Sequence, residues 1–368
     1  MAQPVTILGQ PSYRIASGRA EAFVTVKGGQ VAPVTFNLGG REVRPFHVAP
    51  WAEEGPTGEP PIIDVLRGDF FCMPFGANEA PFGSERHPIH GETANEAWEL
   101  VSIDRNWIRM RLETKIRPGE VLKELTLGDH AVYSRHTLSG MSGPMSFGHH
   151  AMLRFESEGR LSTSPIAFGQ VYPYEFESPA KGGYSSLKQG AYFSSLSSVP
   201  SATGGVADLT RYPAREGFED LVMVLSERET DLAWTAVVFQ DEGYLWVSLK
   251  DPRVLPATVL WHSNGGRHYA PWSGRHRRVL GIEEVCSYFH TGLAESAAEN
   301  EVSRAGYRTY HDLDPDRPLE VGTIMAVAEV PDGFERVLAV RRSEGGALLT
   351  GAGGIQIELP LDMGFLSG

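Results

Sequence analysis

The dominant feature of the sequence is an alternation of apolar and polar residues with a period of two, which recurs along nearly the whole chain. In the clearest case Ile108, Met110, Leu112, Thr114 and Ile116 share one face, and the residues between them are charged. This pattern is typical of a β-strand with one buried face. The same reasoning predicts strands at 23–26, 34–38, 121–127, 132–138, 232–239, 244–249, 324–330, 337–340 and 355–359.

The segments between these strands are rich in turn-forming residues, with 41 Gly and 25 Pro in the 368-residue chain. Many short antiparallel strands need such turns, whereas a parallel sheet needs helix-length connections between its strands. One helix is predicted, at 293–304, where the sequence is rich in Ala and Glu and lacks Gly and Pro. We therefore expect an all-β fold, a large antiparallel β-sandwich. It should form a single domain over 1–368, with strands in 320–360 completing the sheets.

The segment 157–205 is rich in Ser, Gly and Pro, which is typical of a linker, but it also contains many aromatic residues. Aromatic side chains favour a packed, functional loop over a flexible tether. These residues are Phe168, Tyr172, Tyr174, Phe176, Tyr192 and Phe193.

The charge of the chain limits its partners. Its 46 acidic and 33 basic residues give a net charge of -13, which disfavours binding to nucleic acid or to an anionic membrane surface. The basic run 275–278 is interpreted as a solvated edge, with a phosphate contact as the alternative. Only two cysteines occur, Cys72 and Cys286, and no signal peptide or membrane span is recognisable. We expect a cytoplasmic protein.

Acid–base chemistry is suggested by histidines at strand ends and by a carboxylate pair in an apolar strand. The contexts "HPIHG", "GHHAML" and "LWHSNGG" contain His90, the pair His149 and His150, and His262. A histidine beside Gly and polar residues can exchange protons near neutral pH, although each could instead be structural. In "GIEE", alternation places Glu283 and Glu284 on opposite faces, so that they take different roles.

The chain order "PFGAN", "HPIHG", "GHHAML", "GFED", "LWHSNGG" and "GIEE" resembles that of the galactose-mutarotase-like superfamily, which includes the aldose 1-epimerases. The resemblance extends over 23–289. It implies an isomerase that interconverts sugar anomers without a cofactor. It also implies a small-molecule sugar substrate, a role in carbohydrate metabolism, and a monomer or homodimer.

The resemblance further implies roles for individual residues. Glu283 corresponds to the catalytic base and His150 to the catalytic acid, with the adjacent His149 as a substrate-binding neighbour and the alternative acid. His90 corresponds to a sugar-binding histidine, and Asp220, or Glu219 beside it, to a sugar-binding acid.

Other substrate contacts are less directly matched. The family often has an arginine after its "Pro-Phe-x-Asn" motif, whereas here Asn78 is followed by Glu79. Arg86 is then the candidate for the missing donor, with Asn78 beside the sugar. Trp261 is a candidate for stacking on a sugar face, as are Trp98 and Trp272, although a core role is the alternative for each.

The sequence leaves three alternative functions. The group His87, His90, Glu92 and Glu96 could bind a metal, but the spacing of the two histidines places them on opposite faces of a strand, and we predict no metal site. The protein could bind a sugar without turning it over. It could also be a lyase or a glycoside hydrolase on the same fold, although a glycosidase needs two facing carboxylates.

Overall fold

The computed structural model describes residues 2–366. Strands dominate it, as the alternation predicted, and the helices are short. The strands are β1 (Val5–Ile7), β2 (Gln10–Ala16), β3 (Ala20–Thr25), β4 (Val31–Leu38), β5 (Arg41–Val43), β6 (Phe71–Cys72), β7 (Glu99–Ile103), β8 (Trp107–Thr114), β9 (Gly119–Leu127), β10 (Ala131–Ser139), β11 (Gly143–Met145), β12 (Phe147–Arg154), β13 (Gly159–Thr163), β14 (Ile166–Val171), β15 (Tyr192–Phe193), β16 (Val199–Pro200), β17 (Val206–Ala207), β18 (Arg211–Tyr212), β19 (Glu219–Ser226), β20 (Ala233–Phe239), β21 (Tyr244–Lys250), β22 (Ala257–Ser263), β23 (Val279–Cys286), β24 (His311–Leu313), β25 (Leu319–Glu329), β26 (Val337–Ser343), β27 (Gly346–Gly351) and β28 (Gln356–Pro360).

The α-helices are α1 (Pro61–Val65), α2 (Gly91–Asn95), α3 (Leu293–Ala297) and α4 (Glu301–Arg304), and three-residue or four-residue 3-10 turns lie at Pro179–Lys181, Ala352–Gly354 and Met363–Leu366. The prediction of one continuous helix over 293–304 is therefore wrong, because two short helices lie there. The side chain of Asn300 accepts a hydrogen bond from the Ser303 amide (2.9 Å) and donates to the Glu295 carbonyl (3.1 Å). Asparagine favours such an N-cap, so it starts a second helix and ends the first.

Two large antiparallel sheets form the sandwich, which confirms the predicted all-β class. One has nine strands in the order β18-β13-β20-β21-β25-β10-β9-β8-β7, and the other has seven in the order β15-β14-β19-β22-β23-β12-β6. The main hydrophobic core lies between them, and the five-stranded meander β1 to β5 packs against the same core. The alternating residues of β8 bury Ile108, Met110 and Leu112 there, as the sequence predicted.

Strand β8 ends at Thr114, so the predicted strand face does not extend to Ile116. The carboxylate of Glu92 accepts hydrogen bonds from the backbone amides of Lys115 (2.9 Å) and Ile116 (3.1 Å). These contacts hold the following residues in a turn, because amides bound to a side chain cannot pair with a neighbouring strand.

The C-terminal strands divide between two sheets. We predicted that strands in 320–360 complete the main sheets, and β25 does lie in the centre of the nine-stranded sheet. The last three strands, β26 to β28, instead form a small sheet of their own. A separate hydrophobic cluster joins this sheet to the outer face of the nine-stranded one, through residues such as Trp234, Val247 and Leu349. The central strands of that sheet are therefore buried on both faces.

A third hydrophobic cluster covers the outer face of the seven-stranded sheet, and it contains Trp51, Phe70, Leu221 and Trp261. Loops cross this face and enclose the cavity described below. The segment 157–205 is packed as predicted: it includes β13 to β16, and Leu187 is among its buried side chains. Among the described residues, no helix combines the length and the apolar character needed to cross a bilayer.

Candidate active site

A cavity of about 280 Å³ lies on the outer face of the seven-stranded sheet. Its floor consists of alternate residues from four adjacent strands: His150 on β12, Glu283 on β23, Trp261 on β22 and Leu221 on β19. Side chains of a strand alternate between faces, so these four point away from the main core. The walls come from loops and from the segment that contains α1.

His150 and Glu283 meet on this floor. They are direct cross-strand partners in the β12–β23 pairing, and His150 Nε2 lies 3.3 Å from Glu283 Oε1. Both are buried, with 4 % and 1 % of their surface exposed. Their other side-chain atoms, Nδ1 and Oε2, have no hydrogen-bond partner within residues 2–366. The structure thus brings together the two residues that the sequence selected for proton transfer.

Phe70 fixes the orientation of this imidazole. Its ring stacks on His150 with a centroid separation of 4.6 Å and an interplanar angle of 16°. Its carbonyl also accepts a hydrogen bond from the His150 amide (2.9 Å). A residue held on both its backbone and its ring has few alternative rotamers, which favours a pre-organised site.

Burial determines the protonation of the pair. Desolvation lowers the pKa of His150 to about 3, helped by the nearby His290, and raises the pKa of Glu283 well above its ordinary value. Burial disfavours the charged form of each group. Both shifts favour the neutral form, so a single proton shared by the pair resides on the carboxyl group and not on the imidazole.

Two further histidines extend this polar region of the cavity. The ring centroid of His90 lies 5.1 Å from that of His150 and 4.9 Å from that of His290. Burial lowers the pKa of His290 to about 4 and the pKa of His90 well below its ordinary value. Both imidazoles are therefore neutral. The Nδ1 atom of His90 accepts a hydrogen bond from the Gly76 amide (3.4 Å), which leaves its Nε2 as the donor toward the cavity.

Arg267 is the cation of the cavity, and sequence reasoning missed it. Its Nε donates to Glu177 Oε1 (2.5 Å), and its guanidinium carbon lies 4.5 Å from the Trp272 ring centroid and 5.1 Å from that of Trp261. Within residues 2–366, Nε is the guanidinium nitrogen that forms a hydrogen bond, which leaves the two terminal nitrogens for a ligand. Tyr269 donates a second hydrogen bond to Glu177 (3.2 Å), which fixes the carboxylate. Arg267 can therefore offer a planar fork of donors to a ligand.

Glu219 holds Trp261 and the loop before Arg267 in place through hydrogen bonds. Its carboxylate accepts hydrogen bonds from Trp261 Nε1 (2.8 Å), Ser263 Oγ (3.0 Å) and the Gly266 amide (3.0 Å). Burial raises its pKa to about 7. Glu219 thus links the indole on the floor to the loop that carries Arg267.

Asp220, the sugar-binding candidate beside it, points the other way and does not line the cavity. Its carboxylate accepts hydrogen bonds from the Ser186 amide (2.8 Å) and the Leu187 amide (2.9 Å), and it pairs with Arg215 Nε at 3.2 Å. The reason is strand alternation: Glu219 and Asp220 are consecutive on β19, so only one of them can face the cavity.

His149 is also turned away from the cavity, on the face between the sheets. Its Nδ1 lies 2.9 Å from Asp69 Oδ2, and both residues are buried. His136, whose ring centroid lies 5.0 Å from that of His149, and Lys123 complete this buried polar group. The neighbouring His150 therefore is the histidine of this pair that reaches the cavity.

Two other predicted substrate contacts lie outside the cavity lining. Asn78 donates hydrogen bonds to the carbonyls of Pro74, Gly76 and Pro88 and accepts one from the Leu293 amide, so its side chain organises a loop. Arg86 lies exposed on a surface loop. Neither side chain is among those that line the cavity.

Of the tryptophan candidates, Trp261 and Trp272 line the cavity, whereas Trp98 lies in the main core and donates to the Thr93 carbonyl (2.9 Å). His262 points into the core against Tyr212, with ring centroids 5.5 Å apart. Alternation again separates it from its neighbour Trp261.

The basic run is largely occupied by surface contacts. Arg275 pairs with Glu54, and Arg277 pairs with Glu216 at 3.0 Å. His276 is buried and stacks on Trp261 with a centroid separation of 5.1 Å. This favours the interpretation of the run as a charged edge over that of a phosphate site.

The residues considered for a metal site also have other partners. His87 contacts Glu85 at 2.8 Å, while Glu92 binds backbone amides and His90 lines the cavity. Within residues 2–366, no three His, Cys, Asp or Glu side chains are grouped as metal ligands would be. Cys72 and Cys286 are buried free thiols.

The two sheets, their order and the cavity on the outer face of the smaller one define the galactose mutarotase-like fold. The chain superposes on a candidate aldose 1-epimerase from Escherichia coli K12 with a TM-score of 0.61 and 12% identity, over 88% of this chain and 100% of that one. A galactose mutarotase related enzyme from Lactobacillus acidophilus gives a TM-score of 0.59 and 12% identity, over 87% and 98% of the two chains. A galactose mutarotase-like protein from Lactobacillus casei gives 0.56 and 10%, over 86% and 99%.

No protein-family model matches the chain, and no curated protein matches it in sequence. At these identities the likeness to solved structures establishes the fold and not the activity.

Proposed function

We propose that this protein interconverts the anomers of a free sugar by acid–base ring opening, with His150 and Glu283 as the proton-transfer pair. The observation that carries the proposal is their 3.3 Å contact on the floor of a cavity. Structures with names of the aldose 1-epimerase and mutarotase type share the fold, which supports the same class of reaction.

The reaction requires one proton to be removed and one to be added. One member of the pair takes the proton of the anomeric hydroxyl while the other gives a proton to the ring oxygen. The bond between C1 and the ring oxygen breaks, and a carbonyl forms at C1. Rotation about the C1–C2 bond followed by the reverse transfers closes the ring as the other anomer, with no net change in protons or electrons.

The pair can serve in either direction because it holds one proton. The family resemblance assigns Glu283 as the base and His150 as the acid. In the unliganded cavity the raised pKa of Glu283 and the lowered pKa of His150 place the proton on the carboxyl. On that basis Glu283 begins the cycle as the acid and His150 as the base, and ring closure exchanges the roles. Each positioned transfer contributes about 10²- to 10⁴-fold.

The sugar would be held by the other polar side chains of the cavity. The neutral ring of His290 can both donate to and accept from hydroxyl groups, whereas His90, whose Nδ1 already accepts from the Gly76 amide, has a donor left for them. Arg267 offers two unpaired nitrogens, which makes it a better candidate than Arg86 for the donor role left open by Glu79. Trp261 presents an indole at the floor, and aromatic faces pack well against the carbon-bound hydrogens of a sugar.

The test is polarimetry, or NMR exchange spectroscopy, on a panel of aldoses with the parent and with Glu283→Gln and His150→Asn. We expect the parent to accelerate anomer exchange and each variant to lose about 10²-fold or more. His149→Asn is the matched control, since this adjacent residue faces the core. Two active variants would exclude this pair as the proton-transfer groups.

A sugar-binding protein without turnover is the second candidate, favoured by Glu79 at the position where the family has an arginine. Calorimetric titration separates the two. Sugar affinity that persists in Glu283→Gln, with no acceleration by the parent on any aldose, would favour the binding protein.

A further inference from the structure

The lining of the cavity combines polar side chains with a large apolar share. Ten of its seventeen lining residues are apolar, and six of these are aliphatic: Pro60, Ile62, Ile63, Leu66, Ile89 and Leu221. Aliphatic side chains cannot hydrogen-bond a hydroxyl group. A buried hydroxyl without a partner is costly, because it gives up its bonds to water.

Four of the seven polar lining residues form one continuous cluster, and the other three are Glu59, Arg267 and Tyr269. Glu283 contacts His150, His150 packs against His90, and His90 packs against His290. Across the floor, the aliphatic residue Leu221 lies on β19, two strands from β23 and level with Gly281, so it is roughly 10 Å or more from Glu283. A ligand with its reacting carbon at the polar end therefore extends toward aliphatic surface.

The charges of the cavity favour a neutral ligand. Arg267 is the one Lys or Arg among the lining residues, and Glu177 already pairs with it at 2.5 Å. A phosphate or carboxylate on the sugar would have to compete with this carboxylate and with Glu219 close by. The remaining lining offers it no second cation.

We infer that the substrates are neutral 6-deoxyaldohexoses, whose C6 methyl group packs against the aliphatic lining where a hydroxymethyl group would bury an unpaired hydroxyl. This inference rests on the proposed function and goes further, because it names the substrate class. It attributes selectivity to Leu221 and to the α1 residues Ile62 and Ile63. The polar groups remain for the hydroxyls on C1 to C4.

The experiment compares sugars that differ only at C6: D-fucose with D-galactose, 6-deoxy-D-glucose with D-glucose, and L-rhamnose with L-mannose. Rates of anomer exchange are measured by NMR for each pair with the parent protein. We expect kcat/KM to favour the 6-deoxy member of the accepted pair by at least about tenfold. Equal rates, or a preference for the hydroxymethyl sugar, would overturn the inference and leave the proposed function intact.

Calorimetric titration of the same pairs tests the inference independently of turnover. If no sugar is interconverted, the proposed function fails, yet tighter binding of the 6-deoxy member would still support the apolar selectivity. Equal or weaker binding of that member would overturn it.

A matched pair of variants then tests the residue. Leu221→Asn introduces a hydrogen-bonding group into the lining and should shift the ratio of kcat/KM toward the hydroxymethyl sugar. Leu225→Asn is the control, since Leu225 is buried on the same face of β19 but does not line the cavity. An equal shift in both variants would count against Leu221 as the selecting contact.

Discussion

Glu283 and Glu284 are consecutive residues of β23, yet their carboxylates lie on opposite faces of the seven-stranded sheet. Glu283 contacts His150 in the cavity at 3.3 Å, and Glu284 pairs with Lys250 at 2.5 Å between the sheets, where Thr258 also donates to it. One carboxylate is buried without a cation in contact, and the other is neutralised by an ammonium group. The same residue type therefore faces a histidine in the cavity on one side of the sheet and forms an ion pair in the core on the other.

Glu283→Gln should lower kcat/KM by about 10²- to 10⁴-fold and stabilise the protein at neutral pH. The folded state holds the pKa of Glu283 well above its ordinary value, whereas the unfolded chain ionises at about pH 4.3. The contribution of Glu283 to the free energy of unfolding of the parent is thus fully present below that pH. It is lost as the pH rises toward the pKa of Glu283 in the folded state. A glutamine at this position does not titrate, so the variant does not lose stability over this pH range. Urea unfolding at pH 4 and pH 7 should show the variant gaining stability relative to the parent only at the higher pH.

Glu284→Gln is the control for this change. It leaves the ammonium group of Lys250 without its carboxylate in the core, so the free energy of unfolding should fall by about 3–5 kcal/mol. Its folded fraction should retain turnover. A Glu284→Gln protein of parental stability but without activity would contradict the assignment of the two faces.

Substitutions of the adjacent residues His149 and His150 should likewise differ in their effects on stability and turnover. His150→Asn should lose turnover and keep the fold, because the imidazole borders the cavity and forms no ion pair in the main core. His149→Asn should instead destabilise the protein by about 3–5 kcal/mol, since it removes the partner of the buried Asp69. Unfolding curves and exchange rates on both variants check this. Full stability with lost turnover in His149→Asn would show that the acid–base role belongs to His149.

The pH profile of kcat/KM should have its acidic limb well below pH 6.5, the ordinary pKa of histidine. The active pair holds one proton, so activity falls on the acid side only when His150 takes a second proton. Burial lowers the pKa of His150 to about 3, well below its ordinary 6.5. On the alkaline side activity falls when Glu283 loses its proton, above the ordinary range of a carboxyl. Rates at constant ionic strength, with circular dichroism to exclude unfolding, test this; an acidic limb near pH 6.5 would contradict it.

Arg267→Lys should weaken sugar binding by about 10-fold or more, seen chiefly as a higher KM. Lysine cannot reproduce the planar fork that stacks between Trp261 and Trp272 while it pairs with Glu177. Arg86→Gln is the comparison, because that side chain is exposed and lies outside the cavity lining. If Arg86→Gln raises KM and Arg267→Lys does not, the loop arginine is the sugar ligand.

Several features could be predicted from sequence because they depend on local periodicity. Alternation located β8, β10, β20 and β25 within a few residues, and it separated Glu283 from Glu284. The helix at 293–304 was the main local error. There the composition favoured one helix, while a single side chain, Asn300, favoured a break.

The order of strands in the sheet decided which distant residues meet at the cavity, which the sequence left open. Glu177 and Arg267 are 90 residues apart in the sequence, and they meet because their loops cross the same face of the sheet. His290 follows β23 by a few residues, and a histidine just beyond a strand is a signal that could have indicated it. The motif "GFED" does not fix which of Glu219 and Asp220 faces the cavity, and the predicted sugar ligand Asp220 points away from it.

The sequence by itself determined an antiparallel all-β fold and singled out His150 and Glu283 as candidates for proton transfer, because strand periodicity and a carboxylate in an apolar strand are properties of a few consecutive residues. Only the tertiary structure decided which histidine of the pair at 149–150 reaches the cavity, and that Arg267 and His290 join it. The pairing of β12 with β23 sets the register that places His150 opposite Glu283. That register depends on the packing of whole sheets, which no local pattern encodes.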